Sequence, residues 1–234
     1  MYFDITYLVL VLPAVLFAMI ASARVNSTFR RYQGQLSRRR ITGADAARAV
    51  LDAHGLHSVR IERVAGELTD HYDPRDNVIR LSDAVYRDTS TASIGVAAHE
   101  AGHALQYAEG YGPIRLRAAI IPATNIGSRL AMPLVLLGLV FMRWNPLFVK
   151  IAYLGIACFG LAVVFQLVTL PTEFNASRRA LEAIKAGNLL DGDEMQGARR
   201  TLRAAAMTYV AALAVSLAQL LRLLILVGGG RRRD

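Results

Sequence analysis

The chain has 234 residues, enough for one or two domains, and 54% of them are hydrophobic, with a mean hydropathy of +0.33. The apolar residues gather into long blocks, which excludes a purely soluble architecture and indicates a membrane protein. The net charge of +9 does not point to nucleic acid. The basic residues flank apolar blocks, where they would meet anionic headgroups, and no nucleic-acid motif is present.

The first block, residues 5–23, "ITYLVLVLPAVLFAMIASA", carries no charge. It is long enough to cross a hydrocarbon core of roughly 30 Å. Its "ASA" ending resembles a signal-peptidase site, but signal peptides carry positive charge before the apolar run. Here Asp4 precedes it, and Arg24, Arg30, Arg31, Arg38, Arg39 and Arg40 follow. Residues 1–23 therefore read as an uncleaved N-terminal transmembrane anchor, with the N-terminus outside.

The same rule makes the basic segment 24–117 a cytoplasmic domain. "ITGADAARAVLDAHGL" predicts a short helix, with Thr42 as N-cap, Asp45 three residues on and Gly55 as its stop. Ala46, Ala49, Val50 and Ala53 form its apolar face. His54 and His57 flank its end and read as exposed cap or loop histidines. Residues 59–64 have strand composition. Residues 68–72 and 78–81 flank "DPRDN", a strong turn signal, so a small antiparallel sheet is expected. The stretch "DAVYRDTSTASIGVAAHEAGHALQYAEGYGP" begins as a loop and becomes a helix with apolar positions at Val96, Ala97, Ala101, Ala104 and Leu105. Gly110, Gly112 and Pro113 end it.

Within that helix stands HEAGH. His99 and His103 are four apart, so both imidazoles can reach one ion from one helix face. Glu100 projects about 100° away from His99 and can take a proton from a zinc-activated water without ligating the metal. Ala98, Ala101 and Gly102 are small enough to let a substrate or a packing strand come close. Two histidines leave a zinc site incomplete, since a catalytic site has three protein ligands and one open position.

Residues 118–142 and 147–170 are the second and third apolar blocks. They form a transmembrane hairpin, 118–170, whose loop 143–146 would lie outside. Cys158, in the third block, is the single cysteine, so no intramolecular disulfide can form. Residues 171–203 are basic again and read as a cytoplasmic helical segment. Pro171 is expected to break the spanning helix, and Thr172 to cap a new one starting at Glu173. Two crossings return the chain to the side of HEAGH, so Glu173 is the best candidate for a third ligand. A first-turn glutamate complementing the helix dipole explains its position equally well. The fourth block, residues 204–227, begins a C-terminal segment 204–234 of apolar helix and basic tail. A crossing there would put "GGGRRRD" outside, against the charge rule, and the sequence leaves that crossing open.

HEAGH, "HYDPRDNVIRLS" and "LPTEFNASRRAL", in this order, resemble the YugP-type membrane zinc metallopeptidases over residues 1–225. The resemblance implies a multispanning zinc peptidase distantly similar to the HtpX-type membrane gluzincins. In those the third ligand is a glutamate on a later helix, which falls on Glu173 here. Gluzincins often place an aspartate shortly after that glutamate to hold a ligand histidine. Asn175 and Ser177 occupy such positions here and would accept an imidazole N–H more weakly.

The expected fold is an α-helical integral membrane protein with a small α+β zincin-like domain carrying the HExxH helix. The expected function is a multi-pass, zinc-dependent endopeptidase of the cell membrane, with its site facing the cytoplasm. Its metal ligands would be His99, His103 and Glu173, with Glu100 as base. Its partners would be the lipid bilayer and a peptide or protein, unfolded or membrane-associated. Residues 68–72 or 78–81 could offer an edge strand to an extended substrate, and His71 could stabilise an oxyanion or contact the substrate. The rival is a non-catalytic membrane scaffold with a structural or degenerate zinc site. Structural zinc prefers four protein ligands, often cysteines, and Glu100 would have no task there.

Overall fold

The computed structural model describes residues 4–229 and is mostly helical. The basic Arg231, Arg232 and Arg233 of the C-terminal tail lie outside the described residues. A π-helical turn, Tyr7–Val11, leads into α1 (Leu12–Gln33). Then follow α2 (Gly43–Ala53), β1 (Arg60–Val64), β2 (His71–Asp73), β3 (Val78–Ser82), the one-turn α3 (Asp83–Tyr86) and α4 (Thr91–Ala108). Three long helices complete the described residues: α5 (Gly112–Phe141), α6 (Leu147–Ala186) and α7 (Met195–Gly229). Four helical stretches, beginning with Tyr7–Gln33 and continuing with α5, α6 and α7, are long and apolar enough to cross a membrane.

The chain divides into two compact units. One comprises Met1–Ile20, Leu116–Leu170 and Thr208–Asp234, the apolar stretches of the long helices. Small residues let its helices approach closely: a Cβ on Gly138 would lie 2.5 Å from that of Ala152, and one on Gly155 would lie 2.7 Å from the Val135 backbone nitrogen. Arg222, the charged residue of the fourth apolar block, donates to Asp4 at 2.8 Å and so is neutralised within this unit.

The other unit comprises Ala21–Arg115 and Pro171–Met207. Thr42 and Asp45 form a reciprocal capping box that starts α2, and Gly55 follows its end at φ 73°. The sheet is mixed, in the order β1-β3-β2: β2 and β3 are antiparallel, as the turn at "DPRDN" dictates, but β1 pairs parallel with β3. The expected all-antiparallel sheet is therefore corrected. β3 is the strand buried along most of its length, so it takes a neighbour on each side, and residues 78–81 are central rather than an edge. The expected strand over 68–72 shortens to His71–Asp73. Gly66 and Leu68 both adopt left-handed backbone, which ends any extended run. The core of this unit joins Leu51, Ile79, Leu81, Val85, Ile94, Ala101 and Ile184.

α6 does not break at Pro171. It runs unbroken through it, so Thr172 caps no new helix and Glu173 lies in a helix interior. A proline removes one backbone hydrogen bond, and packed neighbours hold the helix across that gap. The helix-dipole explanation for Glu173 falls with the break, because the dipole acts only at a terminus.

Candidate metal centre

α4 starts at Ser90, whose hydroxyl accepts the backbone N–H of Ser93. Its middle turns are packed on every side, and Ala97, Ala98, Ala101 and Gly102 are buried. Gly102 is where α6 comes closest: a Cβ there would stand 2.7 Å from the carbonyl oxygen of Ala176. Gly102 thus admits a helix.

That approach brings Glu173 to the two histidines. Its Oε2 lies 3.3 Å from Nε2 of His99 and 3.4 Å from Nε2 of His103. The donor atoms of all three lie within 4.8 Å of one another and could hold a metal ion. Glu173 is 2% exposed and His103 9%, so the cluster is held away from bulk water.

The far sides of the rings fix how they present themselves. Nδ1 of His103 is 3.0 Å from Oε1 of Gln106. The Gln106 amide nitrogen donates to the Thr172 carbonyl at 2.8 Å and to Oδ1 of Asn175 at 2.9 Å. A carbonyl can only accept, so the amide orientation is determined and its oxygen must face His103. Nδ1 therefore carries a proton, and Nε2 is left to carry a second proton or to meet a metal ion. It faces a carboxylate oxygen of Glu173 at 3.4 Å, where either would join ring and carboxylate. Burial lowers the affinity of His103 for positive charge, but the Glu173 hydrogen bond, the charges of Glu100 and Glu173, and Gln106 outweigh it and raise its pKa.

His99 meets Ser177 at 3.2 Å through Nδ1. Asn175 makes no direct hydrogen bond to either histidine. It reaches His103 through Gln106 and is itself held by Arg179, which donates to it at 2.7 Å and pairs with Glu109 at 2.7 Å. Gln106 and Arg179 are absent from the sequence reading. The signal for Gln106 was its position three residues after His103 on one helix face.

Glu100 is 7% exposed and makes no hydrogen bond to another described residue. Its charge reaches Asp70, whose carboxyl is pushed up chiefly by burial and also by Glu100, against hydrogen bonds from the Ser82 backbone and hydroxyl. His71 is exposed on β2, with Nδ1 2.8 Å from the Thr69 carbonyl, and no contact joins it to the histidine cluster. His54 and His57 stay outside as well, bonded to the Val50 carbonyl and to Asp52.

A family described as "Putative neutral zinc metallopeptidase" matches residues 7–228. The chain belongs to this family. It is 43% identical over 225 residues to a protein of Bacillus subtilis (strain 168) named "Putative membrane protease YugP", covering 96% of this chain and 98% of that one. No solved structure matches it. The family is named for zinc, and two imidazoles with one carboxylate are a ligand set that suits zinc with one position open. Ligands about 2.0–2.2 Å from a tetrahedral zinc stand roughly 3.3–3.5 Å from one another, which agrees with the two ring-to-carboxylate distances.

Proposed function

We propose that this member of the zinc metallopeptidase family is an integral membrane endopeptidase with a small zincin-like domain. His99, His103 and Glu173 would hold the zinc, and Glu100 would be the base. The observation that carries this reading is the convergence of His99, His103 and Glu173, whose ligand atoms all lie within 4.8 Å of one another, with the His103 ring fixed by the Gln106 amide.

When bound, zinc supplies a Lewis acid for a peptide carbonyl and lowers the pKa of water. The chain does the rest. Gln106 and Ser177 hold the two rings with Nε2 turned inward. Glu100, next to His99 but off the ligand face, takes the proton of the attacking water on its carboxylate and returns it to the leaving amide nitrogen. β2 is the sheet edge that makes contact with α4, through Tyr72 and Tyr107 at 5.7 Å. An extended, unfolded peptide would add to that edge. His71, on the same strand, is the candidate substrate or oxyanion contact, through its Nε2.

The domain plan is an anchor at 1–23, the site-bearing domain at 24–117, a hairpin at 118–170, the ligand-bearing segment at 171–203 and a last apolar helix with a basic tail at 204–234. The arginines after residue 23 favour a site facing the cytoplasm at the cell membrane. Labelling by an impermeant reagent of a cysteine placed between 70 and 80, on intact cells, would reverse that orientation.

The deciding experiment uses the purified full-length protein in detergent. Zinc content and cleavage of unfolded casein are measured before and after chelation. Near-stoichiometric zinc is expected, with cleavage lost on chelation and restored by zinc. Stoichiometric zinc without cleavage of any unfolded substrate would favour the scaffold instead.

A further inference from the structure

The second half of α6 and the start of α7 flank an open cleft of about 500 Å³ that the metal centre does not use. Its size lies in the roughly 300–1,000 Å³ range of small-ligand sites. Phe174, Leu202 and Ala206 give it apolar walls, and Phe174 is 46% exposed despite its size. Lys185, Arg199 and Arg203 line it as well, and all three are exposed. Arg178 also lines it but is paired with Glu182 at 2.9 Å. Lys185, Arg199 and Arg203 have no ion-pair partner among the described residues. An apolar cleft with three uncompensated cations matches an anionic head on an apolar body.

The cavity is not the place of the peptide bond to be cut. Nε2 of His99 faces Glu173, whereas its Nδ1 faces Ser177, and Ser177 is part of the cavity wall. The cavity therefore lies behind the ring, on the side away from the cluster.

Position along the chain identifies the occupant. The apolar stretch of α6 ends at Leu170, four residues before Phe174, and the apolar stretch of α7 begins directly after Arg203. Arg203 adjoins the apolar stretch of α7 and Arg199 stands about one turn further out, near the level at which phospholipid headgroups lie, while Lys185, on the last turn of α6, closes the outer end of the cleft.

We propose that this groove binds one anionic phospholipid. Arg199, Arg203 and Lys185 take the phosphate, and an acyl chain lies along Phe174, Leu202 and Ala206. A choline lipid would bring a quaternary ammonium against three cations and is disfavoured. The site does not depend on the zinc reading, and its test does not read cleavage.

Native mass spectrometry of the full-length protein, released from micelles holding equal amounts of dioleoyl phosphatidylglycerol and phosphatidylcholine, measures it directly. The wild type is expected to retain one phosphatidylglycerol in preference. Arg199→Gln with Arg203→Gln should weaken retention roughly tenfold or more, at two lost headgroup charges. Lys185→Gln, on the other helix, should weaken it by a smaller factor. Arg200→Gln, exposed on α7 but not lining the cavity, should change nothing. Should the double variant lose its helical circular dichroism, Lys185→Gln decides alone. Equal retention of both lipids by the wild type overturns the proposal, as does wild-type retention in the Lys185 variant. Displacement of the lipid by an equal concentration of sn-glycerol 3-phosphate would show a site for free anions and overturn it too.

Discussion

The side-chain oxygen of Gln106 lies 3.0 Å from Nδ1 of His103, and the nitrogen of the same amide donates to the Thr172 carbonyl at 2.8 Å. One side chain thus ties the HEAGH helix to α6 beside Glu173 and holds a proton on Nδ1 of a candidate ligand.

Replacing Gln106 by Met keeps most of its volume and removes both functions. Nδ1 loses its acceptor, and the Thr172 carbonyl loses a donor. Zinc affinity is expected to fall about 10–100-fold, the usual cost of losing a hydrogen bond behind a ligand. Competition with a chromophoric chelator measures this on the purified protein. Unchanged affinity with the helix content intact would show that the amide does not orient the ring.

Glu100→Gln separates base from ligand. Glu100 is not among the three converging donors, so the variant should keep its zinc. Cleavage should fall about 10²–10⁴-fold, the range for losing a general base. Loss of zinc along with activity would place Glu100 in the metal's own ligand set.

The placement of these residues was legible in the sequence to different depths. His99 and His103 are one turn apart on one helix, so their convergence follows from helical geometry and needs no tertiary knowledge. The capping box at Thr42 and the stop at Gly55 are local in the same way, and the structure has both. Pro171 misled because a proline is a local breaker whose effect packing can override. β1 misled because the turn at "DPRDN" speaks only for β2 and β3 and says nothing of which side of β3 the earlier strand takes. Gln106 was visible only as a neighbour on the helix face. Its partners, Thr172 and Asn175, lie 66 and 69 residues away, and no periodicity reports a contact that long.

Gly102→Ala tests whether close helix approach sets the spacing of the site. The added Cβ would meet the Ala176 carbonyl oxygen at 2.7 Å and its Cα at 3.3 Å, both backbone atoms that cannot rotate away. α6 must shift, at about 1–3 kcal/mol for overpacking. Ala176 is three residues from Glu173, so the carboxylate moves with it. The variant should insert and fold but bind zinc at least tenfold more weakly, since ligand distances are sensitive to about 0.2 Å. Wild-type affinity would mean that α6 yields without carrying Glu173 along.

Glu173 carries the sharpest test, because the same two acceptors can be joined by a metal or by a proton. In Glu173→Gln the side-chain amide can donate N–H to the lone pair on Nε2 of His103. The buried contact then keeps a hydrogen bond but loses the imidazolium–carboxylate pair that raises the His103 pKa. The metal-free variant should therefore fold, and unfold at or below the temperature of the chelated wild type. Zinc should stabilise the wild type, by about 2.7 kcal/mol at a hundredfold excess over its dissociation constant, and leave the variant unmoved. Glu173→Ala should lose zinc as well, but with no compensating donor it should also be less stable than the glutamine variant. The other carboxylates of segment 171–203, Glu182, Asp191, Asp193 and Glu194, cannot readily substitute, and Glu182 pairs with Arg178 at 2.9 Å. Asp191 and Asp193 pair with the Arg38 guanidinium at 3.2 and 2.8 Å, and Glu194 accepts the Arg38 backbone N–H at 2.6 Å. Thermal unfolding with and without zinc, followed for wild type and both variants, reads all of these at once. If the glutamine variant gains as much from zinc as the wild type does, Glu173 is not a ligand.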